Sequence, residues 1–273
     1  MNLLFSINRK FVPLWAQCMA TILRHGGADR YDLYVLHSDL TPSDQAEMQK
    51  VLRPADSCTL IQVPAELFQG FPVSGRYPLQ IYYRLAAPLL LPPGMDRILY
   101  LDVDTVILNS LEPLYTSDFG GSAFMACSHT RKLMDEVNRA RLGLEERVPY
   151  LNSGVLLMNL DQLRQMVRLE DIRDYAEQYR RRLILPDQDI LTALFGSHAL
   201  VLDSRIYNMT DRLFLRCGAT PGMKLTLDWV RRNTVVVHYL GKPKPWQKNY
   251  IGPLGVFYRE ELSFSEEKDQ KTF

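Results

Sequence analysis

Apolar and polar positions along the first 130 residues follow two alternating patterns. "LLFSI" (3–7), "DLYVLH" (32–37), "CTLIQV" (58–63) and "RILYL" (97–101) are short, mainly apolar runs that predict strands. Between them, "VPLWAQCMATILRH" (12–25) has helical apolar spacing and runs into Gly26-Gly27, a helix-stop signal. "TPSDQAEMQKVL" (41–52) opens on Thr and Pro, suited to an N-cap and a first helical turn. "LQIYYRLAAPLLL" (79–91) reads as helical, with Pro88 expected to kink or end it. Such alternation predicts an α/β fold with a mainly parallel sheet. Strands that are apolar throughout are expected where helices cover both faces. The second half is less regular: "SAFMAC" (122–127), "GVLLMN" (154–159) and "TVVVHY" (234–239) predict strands, and "QDILTALF" (188–195) predicts a helix. Residues 210–232 show no assignable pattern and are expected on the acceptor side of any site. No Pro/Gly/Ser linker divides the chain, so residues 1–262 are expected to form one domain. A polar, loosely ordered tail is expected at 263–273.

Composition narrows the function classes. Of 273 residues, 47% are hydrophobic and 23% charged, which is ordinary for a globular chain that buries a sizeable core. The formal net charge is +1, so no global field favours nucleic acid or an anionic membrane. The short basic runs Arg180-Arg181-Arg182 and Arg231-Arg232 lack interleaved aromatics and read as solvated faces. The four cysteines are scattered with no CxxC pair, which argues against structural zinc and fits free thiols in a reducing compartment. No run approaches the roughly 18 apolar residues of a membrane helix, and no signal peptide is visible. A cytoplasmic protein is expected, with peripheral membrane contact left open.

One stretch departs from this pattern. In "RILYLDVDTVIL" (97–108) an apolar strand runs straight into Asp102-Val103-Asp104. In extended chain, residues two apart point the same way. Asp102 and Asp104 would then converge, with Val103 turned back into the protein. Two carboxylates that close repel unless one protonates or a cation lies between them, and a divalent metal is the economical partner. The bland reading is two solvated acids at a strand end. The string fits both haloacid-dehalogenase-like phosphatases and GT-A glycosyltransferases. Its position after three strands, with no later GDxxxD magnesium site, favours a nucleotide-sugar fold.

"TVVVHYLGKPKPW" (234–246) sets His238 at a strand end and brings Gly241, Lys244 and Trp246 within eight residues. Together they suggest a metal ligand, a flexible turn and a cation for phosphate. Two carboxylates and one imidazole suit manganese better than calcium. "PYLNSGVLLMNL" (149–160) places Asn152, Ser153 and Gly154 before a buried strand. Asp187, Gln188 and Asp189 sit at a helix start, where capping is the simple reading. Arg84 alone would be a surface arginine.

"FSIN", "YYRL", "LYLDVD", "NSGVLLMNL", "DQDIL" and "HYLGKPKPW" occur in that order from residue 2 to about residue 250, and with them the chain resembles bacterial members of glycosyltransferase family 8. The resemblance implies a GT-A fold and a retaining enzyme that uses a UDP-sugar with manganese, or alternatively magnesium. Asp102, Asp104 and His238 would ligate the metal. Ser6, Asn8 and Phe11 would lie against uracil and ribose, and Val103 would adjoin the nucleotide. Gly241 and Lys244 would hold the diphosphate. Arg84, Asn152, Asp187 and Gln188 would surround the donor sugar. Two departures stand out: Asn8 and Phe11 replace the Asp and Tyr of well-studied relatives. The basic, aromatic C-terminal extension that docks some relatives on membranes has no counterpart here.

The implied reaction moves a hexose, glucose or galactose, to a hydroxyl of a saccharide or glycolipid acceptor. Gln188 is a poor nucleophile, so front-side attack is expected, with the Gln188 carbonyl stabilising positive charge and Asp187 as the fallback nucleophile. A magnesium-dependent phosphatase and a non-catalytic nucleotide-binding protein are the competing readings.

Overall fold

The computed structural model describes residues 1–75, 77–130, 132–144, 148–220 and 225–270. In chain order its strands and helices are β1 (Asn2–Ser6), α1 (Val12–His25), β2 (Asp32–His37), α2 (Pro42–Val51), β3 (Ser57–Gln62), α3 (Tyr83–Leu90), β4 (Arg97–Leu101), β5 (Thr105–Ile107), α4 (Glu112–Tyr115), β6 (Phe124–Ser128) and α5 (Lys132–Leu142). They continue with β7 (Leu151–Asn159), α6 (Leu160–Met166), α7 (Leu169–Gln178), α8 (Pro186–Phe195), β8 (Ala199–Leu202), α9 (Ser204–Tyr207), α10 (Asp211–Gly218), α11 (Leu227–Asn233), β9 (Val236–His238) and α12 (Gly255–Gln270). The local signals work where they were legible. Thr41 caps α2 through a reciprocal bond with Asp44, with Pro42 in the first turn. The segment at 79–91 opens as a 3-10 turn (Leu79–Tyr82), and α3 ends at Leu90, two residues past Pro88.

Seven strands form one sheet in the order β3-β2-β1-β4-β7-β6-β8. Strands β3, β2, β1 and β4 are mutually parallel, β7 runs antiparallel to β4 and β6, and β8 is parallel to β6. The expected mainly parallel sheet thus carries one reversed strand. Successive residues of each central strand feed two cores. Leu4, Ile98, Tyr100 and Leu156 face one, while Leu3, Phe5, Leu99, Leu101 and Val155 face the other. Both faces are therefore apolar, and β4 shows no polar alternation. Burying each such side chain contributes about 2 kcal/mol, which makes β4 a rigid support for the acidic turn at its carboxyl end.

A second, two-stranded sheet pairs β5 with β9. Around it a third core gathers Val106, Met209, Leu213, Val230, Val237, Tyr239 and Phe257. Residues 210–232, patternless in sequence and expected beside an acceptor, largely wrap this core through α10 and α11; residues 221–224 lie outside the described residues. Helix α12 extends through most of the segment expected to be a loose tail, and residues 271–273 lie outside the described residues. No described helix is long and apolar enough to cross a membrane.

Candidate active site

The two aspartates converge for a different reason from the one the sequence suggested. Strand β4 ends at Leu101, and residues 102–104 form a turn into β5. Thr105 Oγ1 closes that turn on the Asp102 carbonyl (2.8 Å), so a tight turn, not strand alternation, sets the two carboxylates together. Val103 packs beside the second core, as expected. The small sheet then brings in the third group. Thr105 pairs with His238 across β5 and β9, and the Tyr239 N–H donates to the Asp104 carbonyl (3.0 Å). Ligand atoms of Asp102, Asp104 and His238 all lie within 4.8 Å of one another, the one such group among the described residues.

His238 is 1% exposed. Its Nδ1 bonds Asn208 Oδ1 at 3.0 Å. Its Nε2 lies 3.2 Å from Asp104 Oδ1 and 3.7 Å from Asp102 Oδ2, but is not aligned for a hydrogen bond and has no partner. A buried imidazole nitrogen left unpaired between two carboxylates fits a divalent cation with oxygen and nitrogen donors. Gly154 makes room for this. A Cβ there would come within 2.2 Å of His238 Cε1 and 2.7 Å of Asp102 Oδ2. Its carbonyl also accepts from Asp102 N (2.8 Å), tying the turn to β7.

Cations border the acids. Lys244 donates to Asp104 Oδ2 and to the Tyr239 carbonyl (2.6 Å). Burial opposes the Asp104 charge, but His238 and Lys244 outweigh it and hold its carboxyl well below the usual range. Arg84 is not a surface residue. It is 6% exposed, stacks on the Tyr100 ring (4.4 Å), and lies 3.0 Å from Asp102 Oδ1 and 3.5 Å from Asp187 Oδ2. It thus links the metal turn to helix α8. Burial raises the Asp187 pKa, with Arg84 and the Ser153 hydroxyl (2.6 Å) opposing.

At the start of α8 the three acid-amide positions separate. Helix α8 has no side-chain N-cap, so the capping reading fails; instead Asp189 Oδ2 accepts from Ile184 N (2.6 Å) and Leu185 N (3.2 Å), just ahead of the helix. Arg141 and Tyr150 hold Asp189 further. Asp187 and Gln188 are left to the site. Gln188 Oε1 accepts from Asn152 Nδ2 (2.7 Å) and, more weakly, Ser153 N (3.4 Å). The carbonyl expected to face positive charge is therefore engaged within the protein.

The remaining candidates flank this cluster without a described contact to it. Strand β1 lies beside β4, so its carboxyl end opens on the same edge. There Ser6 Oγ donates to the Gln80 carbonyl (2.6 Å) and the Asn8 side chain accepts from Lys10 N (3.1 Å). Phe11 is 40% exposed. Gly241 adopts φ +79° in open space, a conformation that favours glycine. Sequence reasoning missed Asn208 and Tyr100 and gave Ser153 no role. Asn208, in "SRIYN", shows no pattern signal; Ser153 and Gly154 were visible as the "NSG" step.

The profile of glycosyltransferase family 8 matches residues 2–250. The chain belongs to this family. Family membership decides between the two readings of the aspartate string and identifies the protein as a glycosyltransferase. Similar family 8 sequences include a lipopolysaccharide 1,2-glucosyltransferase of Escherichia coli, 27% identical over 90% of this chain and 73% of that protein. A putative glycosyltransferase of Haemophilus influenzae is 26% identical over 91% and 73%. The galactosyltransferase LgtC, crystallised with donor and acceptor sugar analogues, superposes with TM-score 0.81 at 25% identity, covering 96% of this chain and 95% of LgtC. The family 8 chain thus has the GT-A fold.

Proposed function

We propose that this family 8 protein transfers a hexose, glucose or galactose, from a UDP-sugar to a hydroxyl of a saccharide acceptor, retaining anomeric configuration. One observation carries the reading: the unpaired His238 Nε2 facing Asp102 and Asp104. These three residues would hold manganese, with magnesium as the alternative. Such an ion supplies a Lewis acid against the leaving diphosphate, worth several kcal/mol of transition-state stabilisation. Asp104, held ionised by its neighbours, suits a ligand at neutral pH. Lys244 rests on Asp104 here; with that carboxylate otherwise engaged, its ammonium is free to turn to phosphate oxygens. Gly241 gives the same loop its turn. Ser6, Asn8, Phe11 and Val103 would line the nucleoside, Phe11 offering an exposed ring for stacking.

Arg84, Asn152, Asp187 and Gln188 would surround the sugar. Asp187 Oδ2 is engaged by Ser153 and faces Arg84, which supports front-side attack over a covalent intermediate on Asp187. Lipopolysaccharide glucosyl- and galactosyltransferases among the relatives support a cell-surface glycan or glycolipid as acceptor. We take residues 1–262 as one catalytic domain working in the cytoplasm, with peripheral membrane contact open. A thermal-shift panel of UDP-sugars with and without manganese tests the proposal. A manganese-dependent rise for one donor is expected; no rise for any donor would end it. Tight UDP binding with neither transfer nor hydrolysis would mark a binding protein instead.

A further inference from the structure

Between the metal histidine and Gln188 runs a chain of buried amides whose direction is fixed by backbone N–H groups. Gly154 N can only donate, and it donates to Asn152 Oδ1 (3.1 Å). Asn152 must then turn its Nδ2 to Gln188, whose Oε1 accepts it at 2.7 Å. Ser153 N, also a donor only, points to the same Oε1. On the other side, Asn208 Nδ2 donates to Asn152 Oδ1 (2.8 Å). The Asn208 carbonyl oxygen is thereby left for His238 Nδ1 at 3.0 Å, which has to carry the hydrogen. In the neutral imidazole, the form that ligates a metal, Nε2 then carries the lone pair toward the two carboxylates.

Asn208 itself is fully buried and rigidly placed. It is 0% exposed, its backbone carbonyl accepts from His129 Nε2 (2.7 Å), and its neighbour Met209 bridges to Val237 of β9. A side chain with no solvent contact that touches one ligand and one donor-site amide can order both.

We infer that Asn208 is a positioning residue that fixes the His238 tautomer for metal binding and, through Asn152, the orientation of Gln188. This rests on the metal-dependent transfer proposed above. Holding a ligand histidine by its far nitrogen sets both ring orientation and tautomer, and losing that partner costs roughly 10–100-fold in metal affinity.

The two halves of the amide can be removed separately. Asn208→Asp keeps an acceptor for His238 but cannot donate to Asn152. Manganese affinity, read by titration in the absence of donor, should stay within about three-fold, while kcat falls about ten-fold with donor KM little changed. Asn208→Leu removes both contacts, and manganese affinity should fall roughly 10–100-fold. Equal losses of affinity in the two variants would overturn the proposal. The unsubstituted, metal-free protein gives a test independent of both folding and activity. Its His238 ring 15N shifts should show hydrogen on Nδ1, which faces Asn208 Oδ1; an Nδ1 without hydrogen would overturn the inference. Failure of the unsubstituted protein to bind manganese would defeat the transfer mechanism itself, while the tautomer spectrum still decides the role of Asn208.

Discussion

The molecule contains two Asp-x-Asp strings, Asp102-Val103-Asp104 and Asp187-Gln188-Asp189, and makes opposite use of them. At the first, a turn folds both carboxylates toward His238 and leaves a nitrogen unpaired between them. At the second, a helix begins, and residues two apart lie about 200° apart around its axis. Asp189 is driven into the protein, where Arg141, Tyr150 and two backbone N–H groups saturate it. Asp187 points the other way, to Arg84 and Ser153. Spacing alone does not make a metal site; the backbone conformation carrying it does.

The contrast can be broken at the turn with the largest effect. Asp104→Asn should lower UDP-sugar turnover by about 1,000-fold or more, the size of a lost Lewis-acid contribution, while the protein remains folded at the assay temperature. Activity that survives both the substitution and chelation would remove the metal from the account. Gly154→Ala should abolish manganese binding as well, because its new methyl group would overlap His238 and Asp102; titration of the purified variant measures this. The second acid pair should answer in stability rather than chemistry. Asp189→Ala leaves Arg141 without its buried partner and should cost about 3–5 kcal/mol in chemical denaturation, so intact stability would show that Asp189 is not the anchor of α8.

Smaller effects sharpen the difference between Asp187 and its neighbours. Gln188→Ala should reduce kcat by about 10–100-fold with donor KM nearly constant; a rise in KM alone would make Gln188 a binding residue only. In the metal-free protein, Asp104 and Asp187 should titrate with opposite effects on stability. The folded-state pKa of Asp104 is depressed, so its stabilisation is present above the ordinary value of 3.8 and is lost as pH falls below it. That of Asp187 is raised, chiefly by burial. The folded state then binds its proton more tightly, and stability declines as pH rises from 3.8 through the raised value. Asp104→Asn should flatten the acid side of the stability profile and Asp187→Asn the other side, read from denaturation at stepped pH.

Local chemistry in the chain determined much of this. The apolar runs of β1, β2 and β4, the Thr41-Pro42 start of α2 and the Gly26 end of α1 are consequences of side-chain size, capping and backbone freedom, all written within a few residues. The acids, His238 and Lys244 were legible for the same reason, as charged or ligating groups placed where apolar strands stop. What only the tertiary structure decided depends on pairs far apart in sequence. The reversed strand β7 delivers Gly154 to Asp102, 52 positions away in the numbering. Packing against Tyr100 and two carboxylates converts Arg84 from an apparent surface residue into a buried bridge. Asn208 has no local signature because its role lies wholly in which amides meet its two ends. Hydrogen-bond direction is a property of the assembled network, and no single segment of chain contains it.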